Sequence, residues 1–168
     1  MKIFITYGTG PYLQKLIDEH PSERLFLLHK DDDQFALVHE TDGDTIFKEG
    51  HAYEVLDASG DLADSGFAVL NNISVTDEGR PLFEQRFSQR ARLIENEAGF
   101  SAIRVLRPLQ NDTYIIFTGW KDESSFSDWQ SSKAYNEAHK KRGTSEGMDQ
   151  QPSIFSRPSY VTSYHVVK

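Results

Sequence analysis

The chain contains no cysteine, which excludes a disulfide framework, a thiolate metal centre and a cysteine nucleophile. Long apolar runs are missing as well. The amino-terminal MKIFITYGTG is interrupted by Gly8 and then Pro11, too soon for a signal peptide, and nothing approaches the ~20 apolar residues of a membrane span. Nor is there an excess of positive charge. Eighteen Lys and Arg stand against 26 Asp and Glu, a formal net charge of −8. A diffuse negative field repels phosphate backbones, so nucleic acid is not an expected partner. The expectation is a soluble, cytoplasmic protein with no membrane partner.

What is present fits a globular fold. Hydrophobic residues make up 38% and aromatics 12% of 168 residues, a profile of one domain or two small ones packed together rather than of a disordered chain. At this length folding removes roughly 70% of the unfolded chain's surface from water, so a core forms without staples.

Periodicity predicts a strand over Lys2–Thr6 and a helix over Pro11–His20, with Tyr12, Leu13, Leu16 and Ile17 on one face. Arg24–His29 and Gln34–Glu40 read as strands joined by an acidic turn at Asp31 to Asp33, and Ala52–Leu56 as either a helical turn or a short strand. A turn-rich stretch at 59–66 divides the chain into halves, 1–65 and 66–168. In the second half Phe67–Val75 is an apolar strand. A helix with Pro81 in its first turn follows, carrying Phe83, Phe87, Ala91 and Ile94 as its buried stripe. Phe100–Arg107 and Thr113–Trp120 are strands, 123–142 is helical, and Tyr160–Val167 is a last strand. That order, strand–helix–strand–strand–helix–strand, is ferredoxin-like and α+β. A four-stranded sheet with helices on one face must bury the other, and the first half is available to cover it.

Two segments break the local pattern. Asn71 and Asn72 sit inside an apolar strand, where neighbouring side chains point to opposite faces. At least one amide therefore faces apolar surroundings and requires a partner, either backbone at an edge or a ligand in a pocket. The second segment runs from Phe126 through Trp129 and Tyr135 to His139, followed by Lys140, Lys141 and Arg142. Each residue alone reads as core or as helix-end charge. Together an imidazole, a flat aromatic and cations offer an axial nitrogen, a ring wall and partners for carboxylates. The remaining histidines, His20, His29, His39, His51 and His165, show no metal-ligand spacing, and no Gly-x-Ser-x-Gly elbow exists.

These motifs carry a resemblance. Asn-Ile-Ser-Val-Thr-Asp-Glu-Gly from Asn72, Glu-Asn-Glu-Ala-Gly-Phe to Phe100, Thr-Gly-Trp-Lys to Lys121 and Asp-Trp-Gln-x4-Tyr-x3-His-Lys to Lys140 resemble the antibiotic-biosynthesis-monooxygenase (ABM) superfamily. Within it, the chain resembles the haem-degrading monooxygenases of the IsdG and HmoB kind, and the long first half resembles the HmoB type. The resemblance implies a dimeric α+β-barrel fold in which residues 1–65 complete the barrel within one chain, so that a monomer suffices. It also implies haem as substrate and cofactor at once, with O2 and electrons from an external donor, a reductase or small reductant. The family's site residues fall on Asn72, Trp129 and His139. His139 would ligate iron, Asn72 would hydrogen-bond to the dioxygen, and Trp129 would press the macrocycle out of plane. Phe87 would wall the pocket, Lys140, Lys141 and Arg142 would pair with propionates, and residues 143–158 would form a lid. Iron and an open tetrapyrrole would be released.

The same architecture also resembles the TRAP signal-transduction proteins. A non-catalytic haem-binding or signalling protein, and a cofactor-independent monooxygenase acting on an aromatic polyketide, are therefore the alternatives.

Overall fold

The computed structural model describes residues 1–31, 33–89, 93–132 and 154–168. The first half supplies β1 (Lys2–Gly8), α1 (Gly10–Glu19), β2 (Leu25–His29), β3 (Phe35–Thr41) and β4 (His51–Gly60). The second supplies β5 (Phe67–Ser74), α2 (Arg80–Ser88), β6 (Phe100–Pro108), β7 (Thr113–Trp120), α3 (Glu123–Gln130) and β8 (Tyr160–Val166). Short 3-10 turns lie at Leu62–Asp64 and Leu93–Asn96.

The eight strands close into one barrel in the order β1-β3-β2-β8-β5-β7-β6-β4. In each half the strands lie in the order fourth, first, third, second, the ferredoxin-like arrangement. The halves therefore meet twice in the same manner: the second strand of one pairs with the fourth of the other, β2 with β8 and β4 with β6. The barrel is closed by a single chain, as the resemblance implies for the long type. A closed sheet leaves no unpaired edge to template aggregation.

Alternation along the strands fixes what faces inward. Ile3 and Ile5 of β1, Ala36 and Val38 of β3, Ala68 and Leu70 of β5, and Ile115 and Phe117 of β7 are buried together in the barrel. One polar pair joins them from opposite halves. Arg104 of β6 donates from Nε to Glu40 Oε2 of β3 at 2.7 Å, and its remaining N–H groups reach Ser59 O, Ile103 O and Gly60 O at 2.8–3.0 Å. A buried guanidinium so fully hydrogen-bonded avoids the cost of an unpaired charge.

The halves differ on their outer faces. In the first, α1 lays Leu13, Leu16 and Ile17 over Leu27 and Leu37. Where the second half has a helix before its last strand, the first has the loop 42–50, and Phe47 with Ile46 fills that space. His39 holds the loop in place: its Nδ1 lies 3.1 Å from Thr45 Oγ1, while its Nε2 lies 2.9 Å from Glu23. Residues 52–56, for which turn and strand stood open, are strand. α2 has Pro81 in its first turn, but it starts at Arg80 with Gly79 as its N-cap and no side-chain cap hydrogen bond, rather than being capped by Thr76 or Asp77 as expected from the sequence. It ends at Ser88, and Ala91 of the predicted stripe lies outside the described residues.

Candidate functional site

The outer face of β5 and β7, beneath α2 and α3, is an apolar floor with two aromatic clusters. At one end Phe67 and Val69 of β5 and Trp120 of β7 are buried under Phe126 and Trp129 of α3. At the other, Ile73, Val75 and Tyr114 are buried under Phe83, with Leu82, Phe87 and Ile116 packed around them.

α3 is fixed over the first cluster by its cap and by a close approach. Asp122 accepts from Ser125 N at 2.9 Å at the helix start. Gly99, at φ +82°, leaves room for Ser125, whose Oγ would stand 2.2 Å from any Cβ there. Trp129 then meets Trp120 with ring centroids 5.5 Å apart and Phe126 at 6.1 Å. Trp120 is fully buried, and its indole donates to Thr118 Oγ1 at 3.0 Å. Trp129 is only half-buried, so its indole extends the apolar wall from a fixed base.

At the other end Phe87 stacks against Phe83 at 4.7 Å, and Phe83 against Tyr114 at 4.6 Å. Beneath them Tyr114 donates its hydroxyl to Glu84, and Arg107 grips the same carboxylate twice, at 2.6 and 3.0 Å. The Arg107 hydrogen bonds hold the Glu84 carboxyl below its ordinary range, outweighing partial burial. Burial, reinforced by that carboxylate, pushes the Tyr114 phenol up to about 12, so it stays a neutral donor.

Asn71 lies between these clusters. Its strand neighbours on the same face are Val69 and Ile73, and it pairs with Ile116 of β7 and Val161 of β8. It is half-buried, and among the described residues nothing hydrogen-bonds its carboxamide. Asn72 points the other way. It follows Ala68 and Leu70 on the inward face, is 8% exposed, and pairs with Ile115 of the barrel core. Its Nδ2 donates to Leu70 O at 3.0 Å and reaches Tyr160 O and Thr162 Oγ1 of β8 at 3.3 and 3.4 Å. Backbone partners thus satisfy Asn72, while the outer-face position belongs to Asn71.

The segment before β8 is bound down beside this floor. Thr76 N donates to Ile154 O at 2.7 Å, and Val75 bridges Phe155. Arg157 donates to Asp112 Oδ1 at 2.7 Å and to Ser74 Oγ at 2.9 Å. His139, Lys140, Lys141 and Arg142, together with 143–153 of the predicted lid, lie outside the described residues. No group of three or more His, Asp or Glu among the described residues is arranged to hold a metal ion. No described helix is long and apolar enough to cross a membrane.

Residues 66–141 match the antibiotic biosynthesis monooxygenase family, so the second half carries an ABM domain. Over 162 residues the chain is 28% identical to a haem-degrading monooxygenase of Listeria monocytogenes, covering 95% of this chain and 96% of that one. It is equally similar, 28% identical with the same coverage, to the signal transduction protein TRAP of Staphylococcus aureus. A solved structure described as that of a major regulator of staphylococcal pathogenesis superposes over the full length of both chains, with a TM-score of 0.85 and 26% identity. These similarities run through the first half as well as the ABM domain.

Proposed function

We propose that this ABM-domain protein is a haem-degrading monooxygenase that opens the porphyrin oxidatively with O2 and electrons from an external donor. The observation that carries the reading is the outer face of β5: one half-buried carboxamide, Asn71, without a described partner, set in an apolar floor between two aromatic walls. The Asn71 amide is not fully buried, so it is open to solvent and free to take a ligand's hydrogen bond. A flat, largely apolar ring that needs one hydrogen-bond donor at its face fits this arrangement, and haem is such a ring. The 28% identity to a haem-degrading enzyme over nearly the whole chain points the same way.

In this reading Asn71, in place of Asn72, presents its amide N–H to the reacting face and orients what binds there. Trp129, backed by Trp120 and Phe126, forms one wall and limits how flat the substrate can lie. Phe87 forms the other wall, and the two exclude water from the floor. His139, ten residues after Trp129, supplies the imidazole that takes the substrate's iron, and Lys140 and Arg142 pair with its carboxylates. Haem iron, once reduced, supplies the oxygen chemistry. With the barrel closed by one chain, a monomer is the working unit.

Titration of the purified protein with hemin, followed by ascorbate in air, tests this. The expected result is a saturable Soret band at one equivalent that disappears on reduction, with binding weakened in His139→Ala. The superposition on a staphylococcal regulator at a TM-score of 0.85 favours a second reading, a non-catalytic haem-binding or TRAP-like signalling protein. A Soret band that survives ascorbate, or no band, belongs to that reading.

A further inference from the structure

The residues just before β8 add a wall to the candidate site that the sheet and helices alone do not supply. Ile154 is 2% exposed and is buried with Ile73, Val75, Phe83 and Tyr114. Phe155 packs against the same cluster, as Phe87 does from α2, and both rings are only partly buried. The chain passes this close because position 79 is glycine. A Cβ there would stand 2.7 Å from Ile154 Cα, nearer than any side chain approaches backbone.

Residues 154–157 are tied down at both ends. Thr76 N donates to Ile154 O at 2.7 Å and Ser156 N to Ser74 O at 3.2 Å, so the segment runs as a short extra strand beside the end of β5. Asp112, in the β6–β7 turn, completes the hold. It accepts from Arg157 at 2.7 Å and from Ser156 Oγ at 3.0 Å, while its backbone oxygen accepts from Val75 N at 2.8 Å. Burial works to raise the Asp112 carboxyl, but hydrogen bonds from Arg157, Thr113 and Ser156 outweigh it and hold the group below the usual carboxylate range. The clasp therefore stays charged at neutral pH.

We propose that Ile154–Arg157 is a fixed strap whose Phe155 is a specificity-determining residue: with Phe87 it receives the hydrocarbon edge of a porphyrin lying on the β5–β7 floor, and Asp112 is the positioning residue that holds it there. The porphyrin as occupant rests on the proposed function; the strap itself does not. The side chains of Phe87, Phe155 and Ile154 offer no hydrogen bond. Carboxylates turned toward them would lose their hydration uncompensated, whereas vinyl and methyl groups gain by burial on them.

Fluorescence titration of the full chain with two metal-free porphyrins tests the wall without iron or oxygen. Protoporphyrin IX carries two vinyl groups that deuteroporphyrin IX lacks. Wild type should bind the first more tightly by about fivefold, the gain from burying one such group. Phe155→Ala should lose most of that preference, Phe155→Leu should keep part of it, and Asp112→Asn should weaken it without touching the ring. A wild type that binds hemin yet shows no preference, or a preference unchanged in Phe155→Ala, overturns the strap proposal alone. A wild type that takes up neither hemin nor porphyrin overturns the haem reading and this occupant with it. Hydrogen exchange on the ligand-free protein reads the hold directly. Asp112→Asn should speed exchange of the Thr76 and Ser156 amides by about tenfold and leave β1–β4 unchanged, and unaltered exchange at both amides would contradict the clasp.

Discussion

Asn71 and Asn72 are adjacent in β5 yet face opposite sides of the barrel wall: Asn71 lies among Val69, Ile73 and Ile116 beneath the helices, and Asn72 opposite Ile115 in the core. The pair therefore separates by mutation. Asn71→Ala should abolish or greatly slow haem breakdown while shifting the melting temperature little. Asn72→Ala removes the donor to Leu70 O and Tyr160 O and should cost about 1–2 kcal/mol of stability, with breakdown retained by the folded protein. Thermal melts beside single-turnover rates check both.

Trp120 and Trp129 also divide into two roles. Trp120 is fully buried, and Trp120→Ala should destabilise by about 3–5 kcal/mol through cavity formation. Trp129→Phe keeps an aromatic on Trp120 and should cost under about 1.5 kcal/mol. Its effect should appear in the rate and the products of haem breakdown. Chemical denaturation and chromatography of the tetrapyrrole products measure the two effects.

Glu40 carries the polar contact across the barrel. Glu40→Ala leaves Arg104, 6% exposed, without its carboxylate, and breaking a buried ion pair from one side costs about 3–5 kcal/mol. Arg24, which also donates to Glu40 at 2.8 Å, loses a partner too. Urea unfolding should show the midpoint fall with little change in slope.

Acid stability reports on the support beneath Phe83. The Glu84 carboxyl is held below its ordinary value of 4.5, first by Arg107 and also by Tyr114, against the opposing effect of burial. A depressed folded-state pKa means that its stabilising contribution is present above pH 4.5 and is lost as pH falls through the lower folded value. The melting temperature of the wild type should drop across that window, and Glu84→Gln should flatten the drop.

Much of the fold was legible because its strands are strongly patterned. Thr113–Trp120 was read with its observed limits, and the ferredoxin-like order of the second half followed from element order. Residues 52–56 stayed ambiguous because β4 has Tyr53 buried but Leu56 exposed and is half-covered throughout, which weakens a period of two. The helix predicted to run beyond Phe87 ends at Ser88, since a stripe spaced at three or four residues also suits a helix followed by a 3-10 turn.

The site was legible in outline only. Trp129 and Phe87 were singled out from spacing, and the structure sets them at the two ends of one floor. Asn71 and Asn72 were both singled out as breaks in an apolar strand, and the resemblance carried Asn72 forward. The structure puts Asn72 on the inner face and Asn71 on the outer, because motif spacing alone does not say which face of a strand is the barrel. Alternation alone separates the two rows, Ala68 and Leu70 with Asn72 and Phe67, Val69 and Ile73 with Asn71, but both rows are apolar, so the sequence does not say which one faces the barrel.

The most direct measurement is a single turnover of the hemin complex with ascorbate under 18O2, followed by mass spectrometry of the tetrapyrrole and assay of free iron. The account predicts an opened tetrapyrrole carrying the 18O label, with one equivalent of iron released, and neither product in Asn71→Ala. Recovery of intact, unlabelled haem from the wild type would contradict it.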